Sequence, residues 1–211
     1  MFGIHDLALF VISGLLLNMM PGPDSLLIMT RSASQGWRAG VAATWGIGAG
    51  TMVHIVAAAL GLSAILATSA TAFTVVKSVG AAYILYLAYG MLRSKSGGAA
   101  VPLAAPAPMV YRRIFAQGFL TNVFNPKVAL FFLAFVPQFI DSASPTKALA
   151  FIVLGLVFNI NGMLWAHALA LMTAQASTRI KASPLVSLWL NRVTGGLFIG
   201  LGVKLALSKQ H

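Results

Sequence analysis

The sequence predicts an all-α integral membrane protein with six transmembrane helices, arranged as two inverted three-helix repeats. Three observations predict this fold class: the apolar composition, six long apolar segments, and a recurrence of features of the first half in the second. Of the 211 residues, 59% are hydrophobic and 8% are charged, and the mean hydropathy is +0.89. This apolar content exceeds that of ordinary soluble domains, so the expected solvent is the lipid bilayer.

Six apolar segments are long enough to cross a bilayer, which takes roughly 20 residues per helix. We expect them at about 7–30, 39–68, 73–92, 114–140, 147–173 and 186–207. The first is interrupted at Pro21-Gly22-Pro23 and the fourth at Asn125-Pro126-Lys127, and because proline removes backbone hydrogen bonds, both are predicted to be broken helices. The loop 94–112 separates repeat 1, about 1–93, from repeat 2, about 113–211, within one transmembrane domain.

The second half of the chain repeats features of the first. At an offset of 104 residues, Gly14–Asn18 aligns with Gly118–Asn122, and the prolines that follow nearly coincide. Further matches occur at offsets of 109 and 115, so the offset grows along the chain as loop insertions would make it grow. Because each half holds three spans, direct continuation inverts the second half in the membrane. Proteins built this way transport solutes and bind them near the midplane, beside interrupted helices.

The distribution of positive charge predicts the orientation in the membrane. The first, third and fifth connections hold nine basic residues: Arg31, Arg38, Arg93, Lys95, Arg112, Arg113, Arg179, Lys181 and Arg192. The opposite side holds four, namely Lys77, Lys147, Lys204 and Lys209. We therefore expect the odd-numbered connections in the cytoplasm and both termini outside. This retention signal also explains the net charge of +11 without a nucleic-acid partner.

Two ionisable residues lie inside the predicted spans. Asp24 is the only acidic residue within a span, and Lys127 is the only basic residue well inside one. An ionisable group at this depth predicts function. Asp24 would bind a substrate ammonium or a proton, or cap the second half-helix. Lys127 would bind a substrate carboxylate or pair with Asp24, and the alternatives are a structural ion pair or a snorkelling lysine.

Further polar residues flank the breaks or lie in the second and fifth spans. Four polar residues lie beside the breaks at Pro21, Gly22, Pro23 and Pro126, namely Asn18, Ser25, Asn122 and Asn125. We expect them either to bind the substrate or to form hydrogen bonds with the backbone groups that proline leaves unpaired. Cavity lining and helix packing both remain open for Asn159, Asn161, Trp165, His54 and His167.

No metal site, cofactor or enzymatic activity is predicted. The two span histidines are dispersed, and the chain has no Cys. No nucleophile, phosphate-binding or metalloprotease motif occurs in the sequence. Small-residue spacing at Gly46 and Gly50, and again at Gly196 and Gly200, allows close helix packing within the subunit or in a homodimer.

Two long motifs carry a family resemblance. The first is N-M-M-P-G-P-D-S at 18–25, and the second is G-F-L-T-N-V-F-N-P-K at 118–127, followed by F-F-L-A-F-V-P-Q-F at 131–139. In this order they resemble the LysE/RhtB family of translocators, and the resemblance spans nearly the whole chain. The family's Pro-Gly-Pro motif falls on Pro21–Pro23, and its Asn-Pro-Lys motif falls on Asn125–Lys127.

The resemblance implies a six-helix protein of the bacterial inner membrane. Its implied function is secondary export of amino acids or derivatives, such as threonine, homoserine, homoserine lactone, lysine, arginine or leucine, driven by the proton motive force. The expected partners are the amino-acid substrate, protons and membrane lipid, with alternating access between the two broken helices in an antiporter. One acid and one base in the cavity favour a zwitterionic substrate. The alternatives are a channel, a noncatalytic scaffold, or an exporter of another solute.

Overall fold

The computed structural model describes residues 2–62 and 108–176, together with Thr71, Val75, Ser78, Ala82, Tyr86, Tyr89 and Ile199. In the two continuous ranges the helices are α1 (Leu7–Met19), α2 (Pro23–Gln35), α3 (Trp37–Ala57), α4 (Tyr111–Val123), α5 (Pro126–Leu130) and α6 (Lys147–Ala176). A π-helical turn, Ala58–Leu62, extends α3, while Phe131–Phe135 (π) and Val136–Phe139 (3₁₀) extend α5. The predicted third and sixth spans fall outside these ranges.

Within the described ranges, these elements form up to four membrane spans. The segments Trp37–Gly61 and Lys147–Ala176 are each long and apolar enough to cross a bilayer. Helices α1 and α2 together pass the same test with a bend of 54°, and Tyr111–Val123 with Pro126–Phe139 passes it with a bend of 45°. The chain is therefore an all-α membrane protein, and the predicted interruption of the first and fourth spans is confirmed.

Proline and its neighbours end one half-helix and begin the next at each break. Pro23 and Pro126 each begin the second half-helix, where the missing proline N–H would have had no partner in any case. The Asn125 side chain caps α5 by accepting a hydrogen bond from the backbone N–H of Lys127 at 3.0 Å. Asp24, by contrast, makes no capping bond to α2, whose N-cap is Gly22. The capping alternative for Asp24 is therefore wrong.

The described spans run in both directions through the bundle. A sharp turn at Gly36, whose φ of 80° suits glycine, reverses the chain, so that Gly40 of α3 packs on Ser32 of α2. Helix α4 lies parallel to α3, since Gly46 meets Phe115 and Gly50 meets the residues one turn further along α4. Helix α4 therefore runs opposite to α2. The first spans of the two halves thus have the opposed directions that an inverted repeat requires.

Each first span packs on the second span of the other half. In one contact, Gly14 and Asn18 of α1 meet Phe158 and Gly162 of α6. The corresponding contact joins α4 to α3, where a Cβ atom at Gly50 would lie 2.9 Å from the Asn122 Cβ. Such an exchange of partners is what two related halves would produce. The complete three-helix repeat and its boundaries remain a prediction, because the third span of each half is outside the continuous described ranges.

A cluster of phenylalanine rings fills the core at one end of the bundle. The Phe131 ring centroid lies 4.3 Å from that of Phe158, and the Phe10 centroid lies 5.2 Å from that of Phe139. At the same end, the backbone N–H of Asp141 donates to Gly3 at 2.8 Å, which holds the N-terminal segment against the end of the fourth span. Aromatic packing therefore fills this end of the described bundle.

Substitution of Gly46 by alanine is expected to destabilise the protein. A Cβ atom there would collide with the Phe115 carbonyl group, which is backbone and cannot move aside, so the expected loss is about 1–3 kcal/mol of overpacking. The measurement is the apparent melting temperature of the purified protein in detergent. Gly61→Ala is the matched control, since its Cβ would meet nothing within 4 Å. Equal melting temperatures for the two variants would contradict the close α3–α4 packing.

Candidate functional site

A narrow cavity of about 40 Å³ lies between the two breaks and the helices α3 and α6. This volume has room for about one to three water molecules. Its polar lining comprises Asn18, Asp24, Ser25, Thr51, Asn122, Lys127 and Asn159. Its larger apolar lining residues are Ile28, Ile47, Val128, Phe158, Met163 and Leu169, beside the amphipathic Trp165. Side chains from both halves therefore converge on a single polar site with an apolar wall.

The Asp24 carboxylate is held by amides from the second half of the chain. Its Oδ2 accepts hydrogen bonds from Asn122 Nδ2 at 2.8 Å and from Asn125 Nδ2 at 3.0 Å. Its Oδ1 is buried and accepts no hydrogen bond from any residue in the described part of the chain. One oxygen is thus fixed in place, while the other remains free to bind a proton or a cationic group.

Lys127 binds the end of α1 across the gap between the two breaks. Its Nζ donates to the carbonyl oxygens of Leu17 at 3.2 Å and Met20 at 3.1 Å. Carbonyl groups at a helix C-terminus lack helical partners and carry partial negative charge, so an ammonium group stabilises them. Within the described residues, no ion pair shorter than 4.0 Å joins Lys127 to Asp24. The direct Asp24–Lys127 pair, one of the sequence-based alternatives, is not formed here.

Helix α3 supplies two further groups to the site. The Thr51 hydroxyl lies 3.2 Å from Asn122 Oδ1, which orients that amide so that its NH₂ faces Asp24. His54 Nε2 donates to the backbone carbonyl oxygen of Asn122 at 3.1 Å, and the His54 ring stacks on Phe132 at a centroid distance of 6.1 Å. Thr51 and His54 therefore fix Asn122, and through it Asp24.

The polar residues of α6 divide between two cavities. Trp165 lines the site cavity, and Asn159 lines both it and a larger apolar cavity of about 560 Å³ between α3 and α6. His167 lines only the larger cavity, where its Nδ1 donates to the Met163 carbonyl oxygen at 2.7 Å. Asn161 lines neither, although its Nδ2 is buried and makes no hydrogen bond within the described residues.

The structure brings most of the predicted polar residues together at one cavity. One cavity is lined by Asn18, Asp24, Ser25, Asn122 and Lys127. Asn125 does not line it but donates a hydrogen bond to Asp24. Thr51 was missed, although its position after Gly50 on a closely packed helix face was a signal. The apolar lining could not be singled out, because core, cavity and lipid-facing residues of a membrane helix have the same composition.

Arg31 was counted among the residues of the first connection, but the structure places it inside α2. Its side chain is only 5% exposed and donates to Gln117 Oε1 of α4 at 3.0 Å and to Gln35 Oε1 at 3.3 Å. Helix α2 runs to Gln35, beyond the predicted end of the span near Thr30. A long amphipathic side chain with amide partners can be accommodated within the helix bundle, which is why the charge did not mark the helix end.

Two broken helices that run in opposite directions and enclose a half-satisfied carboxylate define a polytopic membrane transport protein. The model of the LysE type translocator family matches residues 15–209. The chain therefore belongs to the LysE type translocator family, and it is a transporter and not an enzyme.

Several curated relatives match almost the whole chain. It is 31% identical to an uncharacterized membrane protein of Pseudomonas aeruginosa, over 98% of this chain and 97% of that protein. It is 29% identical to the uncharacterized membrane protein YrhP of Bacillus subtilis, over 97% of this chain and 100% of that protein. It is 27% identical to the leucine efflux protein of Salmonella typhimurium, over 97% of this chain and 96% of that protein. No solved structure matches the chain.

Replacing Lys127 by methionine is expected to lower stability. The change keeps the apolar stem but leaves the Leu17 and Met20 carbonyls without their ammonium partner, at a cost of about 1–3 kcal/mol. The measurement is again the apparent melting temperature in detergent. Lys147→Met, at the start of α6, is the control for loss of a lysine charge outside the site. A Lys127→Met variant as stable as this control would contradict the structural role.

Proposed function

We propose that this protein is a secondary exporter of neutral amino acids, in which Asp24 binds the substrate ammonium and a proton alternately. The observation that carries the proposal is the buried carboxylate with one bound and one free oxygen, set in a cavity with a largely apolar wall. The relatives named leucine efflux protein support an amino-acid substrate, because the similarity covers nearly all of both chains.

Competition at Asp24 Oδ1 would couple export to the proton gradient. A free carboxylate oxygen in a narrow cavity accommodates either a proton or an ammonium group, and occupancy by one excludes the other. If the protein changes its access only when the site is occupied, an amino acid leaving the cell exchanges for a proton that enters. Lys127 is not available to neutralise Asp24 directly, since its Nζ binds Leu17 and Met20.

The cavity wall supports a neutral side chain on the substrate. Ile28, Ile47, Val128 and Leu169 present only hydrocarbon to the cavity. A substrate with a second ammonium or a guanidinium group would bury that charge without a partner, which is strongly unfavourable. Leucine and similar aliphatic amino acids are therefore the best chemical match. The basic amino acids included in the sequence-based prediction are the poorer match.

Alternating access would separate contacts that now join the two halves. A cavity of about 40 Å³ is too small to bind an amino acid, so the described conformation would have to open before a substrate enters. Two sets of hydrogen bonds link the halves. Arg31 of α2 donates to Gln117 of α4, and the side-chain amides of Asn122 and Asn125 donate to Asp24. Movement of one broken helix against the other would break these bonds in turn and expose the cavity to each side.

The orientation follows from the charge count along the chain. With Arg31 assigned to α2, eight basic residues in the odd-numbered connections against four on the other side support cytoplasmic odd-numbered connections and external termini. In the bacterial inner membrane, protons would then enter the cavity from the side of the termini.

Asp24→Asn is expected to reduce leucine transport by at least a hundredfold in proteoliposomes. The amide can accept hydrogen bonds, but it has neither the charge that binds an ammonium nor a proton to exchange. Asp6→Asn is the matched control, because Asp6 is a surface residue with a positive φ that asparagine also adopts. Full saturable transport by Asp24→Asn would contradict the proposal, and non-saturable flux in both proteins would favour a channel.

An imposed pH gradient, acidic on the side of the termini, is expected to drive wild-type transport of leucine, isoleucine and valine more than transport of lysine or arginine. The expected preference is at least tenfold, because a buried second charge is penalised in the apolar cavity. The measurement is the initial rate of labelled amino-acid movement with and without a protonophore. Rates that ignore the protonophore would rule out proton coupling, and equal rates for leucine and lysine would rule out the apolar selectivity.

A further inference from the structure

We infer that the carboxylate of the substrate binds the indole N–H of Trp165, with the amide of Asn161 as a second donor, on the side of the cavity formed by α6. This inference rests on the proposed function, because it supplies the second pole of the amino-acid site whose first pole is Asp24. Two residues of α6 would thus recognise the substrate carboxylate, which all amino acids have in addition to the ammonium.

The unpaired buried polar atoms of the structure are the basis for this inference. Within the described residues, five buried side-chain atoms make no hydrogen bond: Asp24 Oδ1, Arg31 Nε, Ser32 Oγ, Asn161 Nδ2 and Trp165 Nε1. Of these five residues, Asp24 and Trp165 line the site cavity. One offers an acceptor and the other a donor. Since buried polar atoms are normally paired, these two atoms mark where a ligand completes the site.

The chemical complement of such a cavity is a zwitterion. The free Asp24 oxygen requires a donor, which the substrate ammonium supplies. The indole N–H requires an acceptor, and an ionised carboxylate is a stronger acceptor than any neutral oxygen. Because neither atom has a partner among the described residues, a substrate that lacks either charge would leave one of them unpaired.

Asn161 lies one helical turn before Trp165, so the two side chains project from the same face of α6. Phe158 is one turn further back and lines the cavity, as Trp165 does, so Asn161 lies on α6 between two lining residues although it does not itself line the cavity described here. A carboxylate has two oxygens and accepts several hydrogen bonds, so it can bind the indole N–H and the amide NH₂ together.

Lys127, the sequence-based candidate for carboxylate binding, is a weaker choice. Two of its three ammonium hydrogens are directed to the carbonyls of Leu17 and Met20. Releasing them to bind a substrate would leave the end of α1 unsatisfied inside the membrane. The α6 donors carry no such cost, because they have no partner among the described residues to lose.

The experiment compares leucine with isoamylamine, which is leucine without its carboxylate, as ligands of the purified protein in proteoliposomes. Trp165→Phe keeps an aromatic ring and removes the N–H. It is expected to weaken leucine binding about tenfold or more and to leave isoamylamine binding unchanged. Trp37→Phe is the matched control, since Trp37 is exposed at the start of α3. This variant is expected to bind both ligands as the wild type does.

Asn161→Leu serves as a second variant should Trp165→Phe fold poorly, which gel filtration and thermal melting will reveal. It is expected to show the same pattern with a smaller loss of leucine affinity. Equal weakening of leucine and isoamylamine binding in these variants would assign Trp165 and Asn161 a role in packing and overturn the inference. Unchanged leucine affinity in both would also overturn it. A wild type that binds no neutral amino acid would instead refute the proposed function itself.

Discussion

Backbone hydrogen bonding inside the membrane is the constraint on which this structure depends. Two spans are broken by proline, and each break leaves carbonyl and N–H groups without helical partners where water is scarce. The protein satisfies them with side chains contributed across the bundle or from the break itself. Lys127, from the second break, binds the carbonyls at the end of the first half-helix, and Asn125 caps the second. The two breaks are therefore parts of one hydrogen-bonded unit.

The same arrangement explains why the site is polar on one side and apolar on the other. Asn122 and Asn125 bind a single oxygen of Asp24, and Thr51 and His54 orient Asn122 from α3. This leaves a carboxylate that is held rigidly but is only half satisfied. An unsatisfied charged group is costly within a bilayer, and such a cost is ordinarily maintained where a ligand or a proton relieves it. The aromatic cluster around Phe131 and the close glycine contacts of α3 and α4 pack the helices that carry this site.

The described part of the bundle encloses few charged residues, and each of them is stabilised by a different set of hydrogen-bond partners. Lys127 binds carbonyl oxygens, Arg31 binds the amide oxygens of Gln35 and Gln117, and Asp24 binds amide donors. None of these three forms an ion pair within the described residues. Neutral dipoles thus stabilise the charges inside the bundle. The contacts of Arg31 and Asp24 also cross between the halves of the chain, so the residues that stabilise the bundle are those that a change of access would have to rearrange.

The sequence by itself determined the membrane class and the two broken spans, and it predicted most of the polar residues that the structure gathers around one cavity. Apolar run length, proline and intramembrane charge each have a direct physical consequence in a bilayer, so they can be interpreted one residue at a time. Only the tertiary structure decided which groups bind each other: that Lys127 binds the carbonyls of α1 and not Asp24, that Asp24 is no helix cap, and that Thr51 and the apolar wall belong to the cavity. Those outcomes depend on the angles and directions in which helices pack, and several of the deciding contacts join residues more than 60 positions apart, such as His54 and Asn122. A pattern along one helix contains no information about the face that another helix presents to it.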